Sequence, residues 1–145
     1  MGFDRATVVD VLNQIVEHEL AGAVRYTQYS LMIFGHARIP IISWMRQQAT
    51  EALLHATAAG EEVTTLHGKV SLSIGGLVGT HHESADDIMQ ELVVHERAGV
   101  ALYDRMLELV AGSNVSLEEY ARQMIRAEEL HVSEILKMLR KRGDA

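Results

Sequence analysis

Apolar residues recur at alternating steps of three and four along stretches of more than twenty residues, and a single proline interrupts the chain. That period lines one face of an α-helix with side chains that must be buried. Alanine, leucine, glutamate and arginine are plentiful, which favours long helices. The spacing predicts an all-α fold of four helices. The first is expected roughly from Asp4 to His36, with Asp4 as its cap and Gly35 near its end. The second is expected from Pro40 to His67, with Pro40 in the first turn and Gly68 as the C-terminal cap. The third should start near Ser84, paired with Asp87, and end at Gly112. The fourth should start at Ser116, with Glu119 completing a capping box, and run to about Arg142 before Gly143.

The connections predict topology. The joints at residues 37–39 and 113–115 are short and favour antiparallel neighbours. The segment from Gly68 to Glu83 is rich in glycine and serine and is long enough to return along a helix pair. The expected architecture is an antiparallel four-helix bundle with one long crossover between helices 2 and 3, as a single domain over 1–145. At 48% apolar residues the chain can bury a full core.

Composition excludes several classes. The net charge of −7 argues against a nucleic-acid partner. No apolar run reaches the ~18 residues of a membrane span, and the first residues lack a signal-peptide pattern. With no cysteine there is neither a disulfide nor a thiolate metal site, which fits a reducing, cytoplasmic setting.

The predicted core stripes contain polar residues that need explaining. Helix 1 gives Leu12, Ile15, Glu19, Ala23, Tyr26, Ser30 and Ile33. Helix 3 gives Met89, Val93, Glu96, Val100, Tyr103, Leu107 and Val110. Helix 4 gives Leu117, Tyr120, Met124, Glu128, His131, Ile135 and Met138. Helix 2 gives a weaker stripe, Trp44, Gln48, Glu51, His55, Ala58 and Glu62. One buried carboxylate is costly and tends to take up a proton. Several aimed at one place call for a shared cation, and histidine beside carboxylate favours iron or manganese over calcium or magnesium. Glu128 and His131 form a Glu-x-x-His pair on one helix face. Alone, that pair is more often a solvated i, i+3 contact. A single Glu on a stripe is as often a boundary residue that reaches out to water. The coincidence of all of them is what argues for a metal site. His67, His81 and His82 read as solvated loop residues, and His95 as a residue facing a partner subunit.

At these positions the sequence resembles the bacterioferritins and smaller ferritin-like proteins over nearly its whole length. Glu19-Leu20 followed by Tyr26 is similar to the family's first-helix ligand and its tyrosine. His55 and Gly68 match the second-helix histidine and its downstream glycine, Glu96 the third-helix ligand, and Glu128 with His131 the fourth-helix motif. The resemblance implies a ferritin-like fold and a metal set of Glu19, Glu51, His55, Glu96, Glu128 and His131. It implies two iron ions, with manganese or zinc as substitutes, and Glu19, Glu128 and Tyr26 as the residues of the reaction. The family's second-helix motif is Glu-x-x-His, but Ala52 holds its Glu position here, and Glu51 lies one residue earlier. Leu53 stands where haem-binding members carry an axial Met, so no haem is expected. The resemblance implies a homo-oligomer, a dimer or larger, and the short C-terminus, which lacks the fifth helix of the large cages, leaves dimer and cage both open. The expected function is Fe(II) oxidation by dioxygen or peroxide in iron homeostasis, with an unidentified electron-transfer partner. Two alternatives stay open: another di-metal oxidoreductase of manganese catalase or peroxidase type, and a non-catalytic helical stress or interaction protein with a relict site.

Overall fold

The computed structural model describes residues 2–141 and 143. Four α-helices account for most of them, α1 (Arg5–Ser30), α2 (Arg38–Thr65), α3 (Ala85–Val110) and α4 (Val115–Leu139). They divide into two compact units, residues 4–83 and the remainder. No helix among the described residues is long and apolar enough to cross a membrane.

In the first unit α1 and α2 form an antiparallel hairpin. Asp4 caps α1 by accepting from the Ala6 amide, as its sequence position predicts. The helix stops at Ser30, six residues before the expected His36. There the Leu31 and Met32 amides bond to carbonyls three residues back, which tightens the last turn. Gly35 then reverses the chain at φ 98. The joint is therefore 31–37 instead of 37–39. Pro40 lies in the first turn of α2, where its missing N–H is harmless.

The C-terminus of α2 corrects a second expectation. The left-handed residue is His67, at φ 61, and not Gly68. The Gly68 amide bonds to the Val63 carbonyl and the His67 amide to Thr64, which is a Schellman closure. Gly68 is needed for another reason: a Cβ there would come within 2.7 Å of Val9 Cγ1 on α1. Arg5 adds a cation at this helix end by donating to the Leu66 carbonyl at 2.6 Å.

From Gly68 the chain returns along α1 in the same direction as that helix. Asn13 holds it by donating to the Lys69 carbonyl and accepting from the Ser71 amide, at 2.9 and 2.8 Å. The Gly75 amide donates to the Glu17 carbonyl, and Arg25 donates to the Gly76 carbonyl. Near the far end His82 meets the Tyr29 ring at 6.3 Å. His82 is thus half-buried instead of solvated, while His67 and His81 are exposed.

The second unit is the antiparallel α3–α4 hairpin. Ser84 caps α3 through the Asp87 amide, as expected. The α4 cap is Asn114, not Ser116: its side chain accepts from the Leu117 amide at 3.0 Å. Glu118, and not Glu119, completes the junction by accepting from the Gly112 amide. The cap is offset by two residues from the expected box and the glutamate by one, and asparagine is as good a cap as serine. α4 ends at Leu139, where Arg140 turns extended as its C-cap, short of the expected end near Arg142, which itself lies outside the described residues.

All seven stripe residues of α1 are buried. On α2 the buried face is Ile42, Met45, Ala49, Ala52, Ala56, Ala59 and Val63, rotated from the expected stripe, of which Gln48 is buried and Trp44, Glu51, His55, Ala58 and Glu62 are half-buried. Met138, one step before α4 ends, is 40% exposed and not a core residue.

Candidate metal centre

The residues expected to bind metal fall into two clusters, one in each hairpin. In the first, the apolar stripe of α1 carries Glu19 into the interior between Ile15 and Ala23, with 5% of the residue exposed. From α2, His55 comes to meet it. Its Nδ1 is 3.4 Å from Glu19 Oε2, and its Nε2 is 3.5 Å from Glu51 Oε1, one turn back along α2. The Glu19 side chain is 6% exposed and that of Glu51 is 38% exposed. The two carboxylates therefore flank the imidazole on different ring nitrogens, one inside and one toward the surface.

In the second cluster, α3 supplies Glu96 and α4 supplies Glu128 and His131. Both carboxylates are buried, at 5% and 3% exposed. His131 Nδ1 is 3.8 Å from Glu96 Oε2 and 3.7 Å from Glu128 Oε2. One ligand atom from each of the three lies within 4.8 Å of the others. Burial works to lower the pKa of His131. Hydrogen bonding to Glu128 and Glu96, reinforced by their charges, outweighs it and pushes the pKa up to about 11. Without a metal, the ring is held as a cation between two carboxylates.

In each hairpin a buried carboxylate lies beside an imidazole nitrogen, a donor set of oxygen and nitrogen without sulfur. That set suits a divalent ion such as iron, manganese or zinc. The residues present fit a metal.

Tyr26 is buried two turns beyond Glu19, with its ring edge-on to Trp44 at 5.8 Å. His95 is only 7% exposed, so it is buried within the chain instead of lying open on the surface as expected. Leu53 is half-exposed on α2 and offers no ligand atom. Ala52, which holds the place of the family's second-helix Glu, is 7% exposed three residues before His55, and sequence reasoning assigned no role to the buried amide oxygen of Gln48, which has no hydrogen-bond partner among the described residues.

Sequence comparison with curated proteins gives no significant match. The ferritin-like domain profile matches residues 9–142. Among solved structures, a ferritin-like diiron-carboxylate protein from Bacillus anthracis matches with a TM-score of 0.87 at 20% identity, over 97% of this chain and 100% of that one. A dodecameric thioferritin, the bacterioferritin-related protein of Bacteroides fragilis, matches at 0.86 and 18%, over 95% and 87%. The Desulfovibrio desulfuricans bacterioferritin matches at 0.81 and 22%, over 93% and 79%. At such identities the likeness shows the fold: an all-α, ferritin-like four-helix bundle with a long loop between α2 and α3. The chain belongs to the ferritin-like domain family.

Proposed function

We propose that the two half-sites serve one dinuclear centre, which binds Fe(II) and delivers its electrons to dioxygen or peroxide in iron homeostasis. The observation that carries this reading is that Glu19, Glu96 and Glu128 are each at most 5% exposed and each faces a histidine nitrogen of its own hairpin. Burial of carboxylates in this way costs several kcal/mol unless positive charge compensates it. The Bacillus anthracis neighbour, described as a diiron-carboxylate protein, supports the choice of iron.

In this reading Glu19 and Glu96 would serve as terminal ligands and Glu128 as the bridge, while His55 and His131 would each hold one ion through a ring nitrogen. Bound as a pair, two Fe(II) ions supply two electrons, enough to take dioxygen to peroxide or peroxide to water. The chain's contribution is to fix the donors, exclude bulk water and balance charge. We assign Tyr26 to the same reaction as a source of a proton or an electron from its buried phenol. Exposed Leu53 and Leu54 on α2, together with the dodecameric neighbour, support assembly into a homo-oligomer.

The test is anaerobic Fe(II) titration followed by air. The expected result is about two irons bound per chain, with oxidation on aeration and loss of binding in Glu128→Ala. No iron bound, or undiminished binding in that variant, would refute the proposal. Metal analysis of protein made with manganese and iron both supplied, together with peroxide turnover, separates this reading from a manganese or peroxidase one.

A further inference from the structure

We infer that Glu51 positions His55 and is not itself a metal ligand, so that α2 gives the centre one donor only. This rests on the metal-site reading above and refines it.

The argument starts from the ring. A neutral imidazole has one nitrogen free to bind a metal and one that keeps its proton. At His55 the two nitrogens face different carboxylates. Nδ1 faces Glu19 at 3.4 Å, and Nε2 faces Glu51 at 3.5 Å. An ion shared with the buried Glu19 therefore sits on the Nδ1 side. His131 behaves in the same way, since its Nδ1 also faces its buried carboxylates. An oxygen lying off Nε2 is on the wrong side of the ring to reach that ion. It is well placed to accept the Nε2 proton, because a small rotation of either side chain shortens 3.5 Å to hydrogen-bond length.

Exposure points the same way. The Glu51 side chain is 38% exposed against 6% for Glu19. A ligand is withdrawn from water, whereas a carboxylate behind a metal-bound histidine tolerates it. Such a carboxylate fixes the tautomer, orients the ring and makes the metal-binding nitrogen more basic. Charge agrees as well. The three buried carboxylates offset three of the four positive charges of two divalent ions, and Glu51, acting through His55, brings the fourth.

The consequence is asymmetry. The inward-facing neighbour of His55 on α2 is Ala52, whose methyl group cannot ligate. The α1–α2 half then offers Glu19 and His55, while the α3–α4 half offers Glu96, Glu128 and His131. The two ions are held with unequal strength, the weaker one beside His55.

Zn(II) alone is the probe: equilibrium titration of the full chain, and nitrogen-15 NMR of the histidine rings in the zinc-loaded protein. Wild type is expected to bind two ions in two steps, with a slowly exchanging proton on His55 Nε2. Glu51→Ala, a half-exposed change that leaves the helix intact, is expected to keep both ions. The weaker step should loosen about 10–100-fold and the His55 ring signals should shift. Glu51→Gln, which retains an acceptor, should recover part of the loss. Glu19→Ala should remove the weaker ion altogether. Loss of one whole ion in Glu51→Ala would make Glu51 a ligand and overturn the inference. So would unchanged affinity with unchanged His55 signals, or two equal steps in wild type. No zinc bound by wild type would instead overturn the metal-site reading itself.

Discussion

Glu128 and His131 stand one turn apart on α4, with Oε2 and Nδ1 separated by 3.7 Å. Against the effect of burial, this carboxylate and Glu96 hold the imidazole pKa at about 11. A metal needs the neutral ring, so loading near pH 7 must expel the His131 proton. Addition of Zn(II) to weakly buffered protein is therefore expected to release protons, and affinity should rise with pH between 6 and 9. His131→Ala should release one proton fewer per chain, read with a pH indicator. Equal release from both proteins would show that the ring is already neutral.

The same pairing links metal-free stability to pH. The folded pKa lies above the unfolded value of 6.5, so the folded state binds the proton more tightly. Its contribution is complete below pH 6.5 and disappears as pH rises toward about 11. The urea midpoint of metal-free wild type should fall over this range more than that of His131→Ala. Parallel curves would remove His131 from the linkage.

Glu62 shows the opposite case for a carboxylate. Burial pushes its pKa above the usual 4.5. Ionisation therefore costs more in the folded state than in the unfolded one. Stability is unaffected below pH 4.5 and declines as pH rises through the raised folded pKa. Glu62→Gln should stabilise the protein at pH 7 by no more than about 0.5 kcal/mol, because solvent screens the part-exposed group. At pH 4 the two proteins should melt together. A lower melting temperature for the variant at pH 7 would mean that Glu62 makes a favourable contact when ionised.

The end of α2 shows what the sequence could and could not reveal. Its existence and approximate end were legible from the helical period and from Gly68. The assignment of the left-handed position was not, because glycine serves turns and close approaches alike, and here Val9 decides between them. His67→Gly should relieve up to about 1 kcal/mol of backbone strain. Gly68→Ala should cost about 1–3 kcal/mol by forcing Val9 and Val63 to move. Chemical denaturation should show shifts of opposite sign. Stabilisation by both, or loss by both, would contradict this division of labour.

Legibility of the metal site followed hydropathy contrast. Glu19, Glu96 and Glu128 stood out because strongly apolar neighbours surrounded them. On α2 the expected core stripe lies one residue off most of the buried face, because that face is built from alanines, which give little contrast, while Glu51 and His55 lie at its margin. The distinction between a ligand and a residue behind a ligand depends on which ring nitrogen faces which carboxylate, and helical spacing does not carry that information.

Ala52→Glu tests the consequence directly. It places a carboxylate at a position 7% exposed, one turn from His55 on the inward side. Without metal, the new group has no cation to offset its desolvation, so the variant should be less stable than wild type by about 1–3 kcal/mol or more. With Zn(II) in excess the order should reverse in one respect: the metal-induced rise in melting temperature should be larger in the variant. A ligand of the native state stabilises in proportion to the logarithm of its concentration over Kd, and the added donor lowers Kd for the weaker ion. The weaker of the two binding steps should tighten, and the stronger should hold. A metal-induced rise no greater than that of wild type would mean that residue 52 does not reach the ion, and that the weakness of this half-site has another cause.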